Sequence, residues 1–421
     1  MSLTPDSSHA SSISTVSSPI PVNNNSISGS LRMDTTQFLR QCAEEDRAEL
    51  NDYIMNRTPS TTADLGDSFF DYYMSDDVRH VSPFQVSTCL IRGCAKSGCA
   101  RTNGLSPCPA CKAILYCSHE HQRLGRPDHR LACAKVKKAQ MLFDKESRLL
   151  RNRVGSTVFE ETSYSFCRTN SLKYSTACVA LAETLLKSNN AHSIWLALNH
   201  LLKLLRLQRS DPMGAGDVVP AIYIRLGQDQ NAFDFCYWWA TIGQREDVDW
   251  LNYRGLFLDT QNADAFGEAE IFTKHGMSLS QVVAITLLKI RLVIDLQSIH
   301  QARELAGPVV PQEILDVILE YVTFSSILTT SKNVKQQDLS QHIKSLREQI
   351  GVLHGTVQGA NQHFWPALIE PGDNLTARPT LYSPGDEGHM QLVLQHNYNA
   401  WAESTGAIDV IKSYQDAHTS S

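Results

Sequence analysis

Apolar residues recur at intervals of three and four along most of the chain from about residue 170 onward. That spacing places apolar side chains on one face of an α-helix. The pattern predicts helices over residues 172–186, 193–207, 217–226, 230–242, 279–305 and 388–413. Short turns separate the first four helices, as in stacks of helical hairpins, although no constant repeat length emerges. The sequence therefore predicts a mostly α-helical body with hairpin-like, repeat-like packing.

Two local signals refine this pattern. Ser193 is expected to cap the second helix, because a serine hydroxyl accepts a hydrogen bond from the free amides of a helix start. A heptad spacing runs through Leu339, Ile343, Leu346, Ile350, Leu353 and Val357. Since this seam is shorter than three heptads, we expect it to pack against the protein's own helices and not to form an independent coiled coil.

Changes in composition predict four regions along the chain. Residues 1–33 are rich in serine and asparagine, and we expect them to be disordered because they cannot bury enough apolar surface to offset the entropy of ordering. Residues 34–88 are predicted to hold an amphipathic helix and a linker. Cysteine and histidine concentrate in residues 89–134, and residues 135–415 form the predicted helical domain. We expect these last two regions to fold as separate cores.

The overall composition is that of a globular protein, with 42% hydrophobic and 19% charged residues among 421 and a formal net charge of -6. That charge argues against a general nucleic-acid binder. The longest apolar run, residues 282–296, contains Lys289, Arg291 and Asp295 and is too short and too charged to span a bilayer. No apolar stretch of the kind found in secretion signals opens the chain, so we expect an intracellular protein, cytoplasmic or nuclear, with no membrane partner.

Eight cysteine and histidine residues form four spaced pairs, which is the number of ligands that two tetrahedral zinc ions require. The pairs are Cys94/Cys99, Cys108/Cys111, Cys117/His121 and His129/Cys133. Residues four apart lie on one face of a helical turn, and a C-x2-C turn lets two thiolates converge on one ion. Such clustering indicates metal binding and not disulfides, and hence a reducing compartment. The sequence therefore predicts two structural zinc ions.

Spacing leaves three choices open. His119 could replace His121, although it lies on the wrong side of a helical turn. Cys89/Cys94 has the same spacing as Cys94/Cys99, but the latter pair leaves the shorter gap to the next cysteine and is preferred. The four pairs could also share the two ions sequentially or in an interleaved way, and spacing alone does not decide between these arrangements.

The full run, C-x4-C-x8-C-x2-C-x5-C-x3-H-x7-H-x3-C with Tyr116-Cys117-Ser118 and Gln122, resembles the MYND-type zinc finger. The resemblance covers about residues 94–133 and implies the interleaved pairing. Zinc 1 would then be held by Cys94, Cys99, Cys117 and His121, and zinc 2 by Cys108, Cys111, His129 and Cys133. The family commonly has cysteine at the position of His121, and imidazole serves zinc equally well.

The resemblance also implies a surface for a protein partner. In peptide-binding members of the family, a tryptophan and a glutamine equivalent to Gln122 line a groove for proline-containing peptides. This chain keeps Gln122 but carries Arg126 where the tryptophan often stands. A protein partner is therefore expected, with a proline-containing peptide as its candidate form.

A second similarity concerns the helical part of the chain. Residues 170–370 are similar to the helical region that follows the finger in filamentous-fungal MYND-finger proteins. The similarity rests on the segments 204–207, 211–227, 235–239 and 363–368. It implies a shared architecture and no particular activity.

The finger raises one enzymatic hypothesis, because MYND fingers occur inserted in SET-domain methyltransferases. Residues 57–93 contain no glycine-rich cofactor strand, and no Asn-His-x-Cys segment follows Cys133. We therefore predict a non-catalytic protein-interaction module or scaffold that docks its partner through the finger. The alternative is a transcriptional or chromatin co-regulator that also uses the basic helix expected over residues 131–153, with nucleic acid as the less favoured partner.

Overall fold

The computed structural model describes residues 90–154, 156–159, 171–248, 250, 256–274, 276–306, 310–311, 314, 323, 325–330, 339–379 and 382–419. Its strands and α-helices are β1 (Ser106–Pro107), β2 (Leu115–Tyr116), α1 (His119–Val154), α2 (Leu172–Leu186), α3 (Ala191–Leu207), α4 (Ala215–Arg225), α5 (Asp229–Thr241), α6 (Leu279–Ala306), α7 (Ser326–Thr330), α8 (Leu339–Ala360), α9 (Phe364–Ile369), α10 (Glu387–Ala402) and α11 (Ala407–Thr419). Short 3-10 helices span Ser156–Phe159, Glu270–Thr273 and Gly372–Leu375. The predicted tail 1–33 and the predicted helix and linker 34–88 lie outside the described residues. The mostly α-helical fold class is confirmed.

Helix α6 forms the centre of the helical body. Every residue from Gln281 to Ile290 is buried, because α4, α5, α8, α10 and α11 all contact this helix. This is the apolar run noted in the sequence, and a helix surrounded on all sides needs no polar face. No helix in the described part of the chain combines the length and the hydrophobicity that crossing a membrane requires.

The heptad seam packs as expected. Helix α8 lies against α6, and Leu346, Ile350, Leu353 and Val357 are buried. The residues therefore serve the protein's own core.

Polar side chains tie the loops around α6 to the core. The ammonium group of Lys289 donates to the carbonyl oxygens of Ala265 at 2.7 Å and Gly267 at 2.8 Å. Nearby on α6, Arg291 forms an ion pair of 3.0 Å with the buried Asp229. A second buried ion pair joins Arg225 at the end of α4 to Glu403 beyond α10, with 2.7 Å between nitrogen and oxygen. Buried charges need such partners, since an unpaired charge in the core costs several kcal/mol.

Two predicted helices differ from the observed ones. The helix expected over 388–413 is divided into α10 and α11, and Gly406 between them has a φ of +80°, which a glycine adopts readily and a helix does not. The helix expected from residue 131 starts instead at His119 and contains Pro127. Helix α1 therefore runs through the cysteine-rich segment as well as beyond it.

The cysteine-rich segment and the helical body share one core, so the expectation of separate cores is wrong. Buried residues of the segment, among them Cys94, Ile114 and Tyr116, belong to the same hydrophobic cluster as the buried residues of the helices. The backbone joins them as well, because the amide of Ala191 donates to the carbonyl of Ile91 at 2.8 Å. The expected boundary between residues 134 and 135 lies inside α1.

Candidate metal centre

Two clusters of potential metal ligands lie in residues 94–133, and each has three cysteines and one histidine. The first contains Cys94, Cys99, Cys117 and His121, and the second Cys108, Cys111, His129 and Cys133. Within each cluster the ligand atoms all lie within 4.8 Å of one another. The structure thus brings the pairs together in the interleaved arrangement.

The distances within both clusters suit a tetrahedral zinc ion. Zn–S bonds of about 2.3 Å and Zn–N bonds of about 2.1 Å place two sulfur ligands about 3.8 Å apart and a sulfur and a nitrogen about 3.6 Å apart. In cluster 1, Cys99 Sγ and Cys117 Sγ are 3.8 Å apart, and Cys94 Sγ lies 3.6 Å from His121 Nδ1. The corresponding distances in cluster 2 are 3.9 Å between the Sγ atoms of Cys108 and Cys133, and 3.3 Å between Cys111 Sγ and His129 Nε2. The donor set and its spacing therefore fit two zinc ions.

Cluster 1 is built from a bend and the start of α1. Gly98 adopts a φ of +78° between the first two cysteines, and the amide of Cys99 donates to the carbonyl of Lys96 at 3.0 Å. At the helix start, the Ser118 hydroxyl accepts from the amide of His121 at 3.1 Å and so caps α1. These turns place the four ligand atoms around one point.

Cluster 2 is built from the turn between β1 and β2 and from α1. The amide of Cys108 donates to the carbonyl of Ile114, and the amide of Lys112 to the carbonyl of Cys108, both at 2.8 Å. His129 and Cys133 follow at a four-residue interval on α1, so they lie on one face. Helix α1 contributes ligands to both clusters, and two zinc ions would therefore fasten the hairpin and the preceding loop to this one helix.

The pKa values of the ligands shift in both directions. At Cys94, burial acts to raise the thiol pKa, but hydrogen bonds from the backbone amides of Lys96 and Cys117 and from the side chains of His121 and Cys117 together lower it to about 6. Burial raises the pKa of Cys111 to about 12. Burial lowers the pKa of His129, which keeps the imidazole neutral and able to bind a metal. Bound Zn²⁺ supplies the positive charge that stabilises deprotonated thiols, so each cluster would carry a net charge of about -1.

The two predicted groove positions lie at the beginning of α1. Gln122 is half-buried and its Nε2 donates to Cys108 Sγ at 3.9 Å, so it contacts a ligand of cluster 2. Arg126 is exposed one turn later, and its charge opposes the rise in the pKa of Cys133 that burial causes. Of the alternative ligands, His119 is exposed and belongs to neither cluster, and Cys89 lies outside the described residues.

The sequence did not indicate a contact between cluster 2 and the helical body. The Nε2 atom of His192, on α3, lies 3.2 Å from the carbonyl oxygen of Lys112 in the cluster 2 turn, and its ring stacks on Trp195 at 6.0 Å. Arg92, two residues before the cluster 1 ligand Cys94, makes a separate contact between the finger and the body by donating to the carbonyl of Arg225 at 3.0 Å. Isolated polar residues of this kind follow no periodic pattern, so only the folded chain reveals their partners.

Comparison with known proteins agrees with this geometry. A family model described as the MYND finger matches residues 94–133, which are the residues that contain both clusters. No curated protein and no solved structure matches the chain. MYND fingers are zinc-binding protein-interaction domains. The chain therefore carries a MYND finger at residues 94–133, with ligand sets for two zinc ions, on a mostly α-helical body.

Proposed function

We propose that this chain is a non-catalytic protein-interaction module in which the finger docks the partner and the helical body supports it. The observation that carries the proposal is that each cluster supplies four protein ligands. Structural zinc sites are closed in this way, whereas catalytic sites keep one position for water or substrate. The zinc ions then maintain the shape of the finger, and partner binding falls to its surface. Measured binding of a methyl-donor cofactor would contradict the non-catalytic assignment.

The candidate docking face lies on the first turns of α1. Gln122 and Arg126 are four residues apart, which places them on one side of the helix. Cys108, the contact of Gln122, directly follows β1, and both residues of β1 are exposed. In the two-stranded sheet of the described residues, β1 pairs on one side with β2, so its other edge offers backbone groups to an extended peptide.

We propose a proline-containing peptide as the ligand of this face. A polyproline-type segment leaves its carbonyl groups free to accept hydrogen bonds. The Gln122 amide has two N–H groups, of which one is engaged with Cys108, and the exposed Arg126 guanidinium offers several more. Arginine lacks the apolar wall that a tryptophan supplies, so we expect weak binding.

Titration calorimetry of the zinc-loaded full chain with a synthetic proline-rich peptide tests this proposal. Arg126→Trp should tighten binding by about tenfold, because an aromatic ring adds buried apolar area worth about 1.4 kcal/mol. Gln122→Ala should weaken it by about fivefold through the loss of a hydrogen bond. Lys344→Trp, at an exposed position of α8, is the matched control and should have no effect. Equal binding by all four proteins would contradict the proposed face.

The alternative function, a transcriptional or chromatin co-regulator, has one observation in its favour. Lys135, Lys137 and Lys138 are exposed on α1 beyond the last ligand of cluster 2. A duplex-DNA mobility shift that weakens with salt and disappears on reversal of these three charges would favour it. Peptide binding without such a shift would favour the interaction module.

We also propose a cellular compartment for the module, from the thiol chemistry of its ligands. Free thiols in both ligand sets suit a reducing, intracellular compartment, either cytoplasm or nucleus. We propose, from the resemblance of residues 170–370 to the helical region of filamentous-fungal MYND-finger proteins, that the body shares that architecture; the resemblance assigns no activity to it.

A further inference from the structure

An open cleft of about 480 Å³ lies along the second half of α1, away from the zinc ligands. Its walls come from α1, the 3-10 helix Ser156–Phe159, α2 and α3. Three aromatic rings line it: the centroid of Tyr174 lies 5.4 Å from that of Phe143 and 4.9 Å from that of Phe159. The rings are tilted at about 43–44° to one another, and the cleft beside them is large enough for an aromatic ligand group.

Positive charge converges on the same cleft from two helices. The guanidinium carbon of Arg151, on α1, lies 5.0 Å from the Phe159 ring centroid, and the ammonium nitrogen of Lys203, on α3, lies 5.4 Å from it. Arg148 adds a third exposed cation to the lining. Arg148 and Arg151 lie one turn apart on α1, whereas Lys203 comes from α3, so the fold is what brings Lys203 to the two arginines.

The carboxylate of Asp144 in the cleft lining does not neutralise the three cations. Asp144 is the carboxylate of the lining, and its Oδ1 accepts from Gln140 Nε2 at 2.9 Å. Arg148 donates to the backbone carbonyl of Asp144, at 3.3 Å, and not to its carboxylate. Among the described residues, no ion pair engages Arg148, Arg151 or Lys203. Like charges held close together repel one another, and a bound anion would relieve that repulsion.

We propose that this cleft binds an aryl phosphate, the chemistry of a phosphotyrosine side chain. The aromatic ring lies against Phe159 and Tyr174, and the phosphate accepts hydrogen bonds from Arg148, Arg151 and Lys203. A phosphomonoester carries a charge of about -2 and three acceptor oxygens at neutral pH, which matches three cations better than a carboxylate does. The site is separate from the docking face of the finger, so either proposal stands without the other.

Titration calorimetry of the zinc-loaded full chain with phenyl phosphate tests the proposal. Arg151→Gln and Lys203→Gln should each weaken binding at least about fivefold, because each loses a charge-assisted hydrogen bond to phosphate. Lys344→Gln, a loss of one exposed cation on α8, is the matched control and should bind as the unaltered protein does. Circular dichroism of each variant establishes that the helices are retained. A phosphotyrosine peptide should bind at least as tightly as phenyl phosphate.

Four results would overturn the proposal. The first is absence of binding at about 10 mM phenyl phosphate, since three cations and an aromatic wall should give a dissociation constant below that. Equal affinity for inorganic phosphate would show that the rings contribute nothing, and tighter binding of adenosine monophosphate would assign the cleft to a nucleotide. Glu160 and Glu161 follow Phe159 in the chain. If phenyl phosphate bound only to the Glu160→Gln/Glu161→Gln variant, the three cations would be pairing with these two carboxylates in the unaltered protein and not with an external phosphate.

Discussion

Lys289 places a charge at the centre of the helical body. Its side chain is fully buried on α6, and its ammonium group donates to two backbone carbonyls and lies 5.6 Å from the Phe233 ring centroid. Burial lowers the pKa of this lysine from 10.5 to about 8. The charged form is thus less favourable in the folded protein than in the unfolded chain, despite the hydrogen bonds.

This shift predicts a specific pH dependence of stability. Between pH about 8 and about 10.5 the unfolded chain holds a proton on Lys289 that the folded protein has lost, so the free energy of unfolding should rise with pH across that interval, by about 2–3 kcal/mol. Below the interval both states are protonated and the contribution is constant. Urea unfolding of the protein and of Lys289→Met at about pH 7.5 and about pH 10 isolates the effect. An equal pH response in both proteins would contradict it.

The zinc ligands show what residue types alone can predict. A tetrahedral ion needs four donors, so spaced Cys and His pairs indicate their chemistry from sequence. Which pairs share an ion depends on how the bend before residue 99, the β1–β2 turn and α1 fold over one another, and the resemblance to a known finger was needed to expect the interleaved arrangement. The resemblance predicts Gln122 as a groove residue, and its contact with the Cys108 sulfur is a detail that the sequence did not indicate.

Among the secondary structure elements, α3 is the one that joins the finger to the body. It begins at Ala191 with Asn190 as its cap, and the Asn190 side chain accepts from the amide of His192 at 3.0 Å. Ser193, the expected cap, lies inside the first turn and its hydroxyl donates to the carbonyl of Asn190 at 2.8 Å. Both residues are good caps, and the backbone pairing of Asn190 with Ile91 sets the start of the helix.

Asn190→Ala should lower the free energy of unfolding by about 1 kcal/mol, because the amide of His192 loses its acceptor. Asn190→Ser keeps a neutral side-chain oxygen at the cap and should retain most of the stability. Denaturant titrations of the three proteins, compared at their midpoints, measure the difference. A larger loss in the serine variant than in the alanine variant would rule out the capping role.

The periodicity of apolar residues predicts that a helix is present, but it does not predict where the helix ends or is interrupted. Helix α2 spans Leu172–Leu186, the range that its apolar spacing predicts. The break between α10 and α11 escaped prediction, because the apolar spacing continues across Gly406 and a single glycine is tolerated within many helices. The sequence also did not predict the start of α1, since metal ligands and Pro127 interrupt its apolar pattern.

At the scale of the whole molecule, the finger and the helical body share one hydrophobic core. Their buried residues belong to one cluster. A backbone hydrogen bond joins Ile91 to Ala191, and side chains make two more links, from Arg92 to the carbonyl of Arg225 and from His192 to the carbonyl of Lys112. Such continuity cannot be predicted from composition, because a cysteine-rich segment beside a helical one looks like two domains. Only packing reveals that the same apolar residues serve both.

Because the finger and the helical body share one core, loss of a zinc ligand should destabilise both. Cys108→Ser removes one ligand of cluster 2, and the melting temperature of the helical body should fall by at least about 5 °C together with that of the finger. Thermal unfolding followed by circular dichroism reports the helices, and removal of zinc from the unaltered protein with a chelator should produce the same shift. Helices that melt at an unchanged temperature in both cases would show that the finger folds independently.

The most direct test of the central claim is the zinc content of the purified full chain, measured by elemental analysis against protein concentration. Two closed ligand sets, each with distances that suit tetrahedral coordination, predict two zinc ions per chain. Cys94→Ser, which alters cluster 1 alone, should reduce the content to about one ion per chain. A content of one ion in the unaltered protein, or an unchanged content in this variant, would contradict the account.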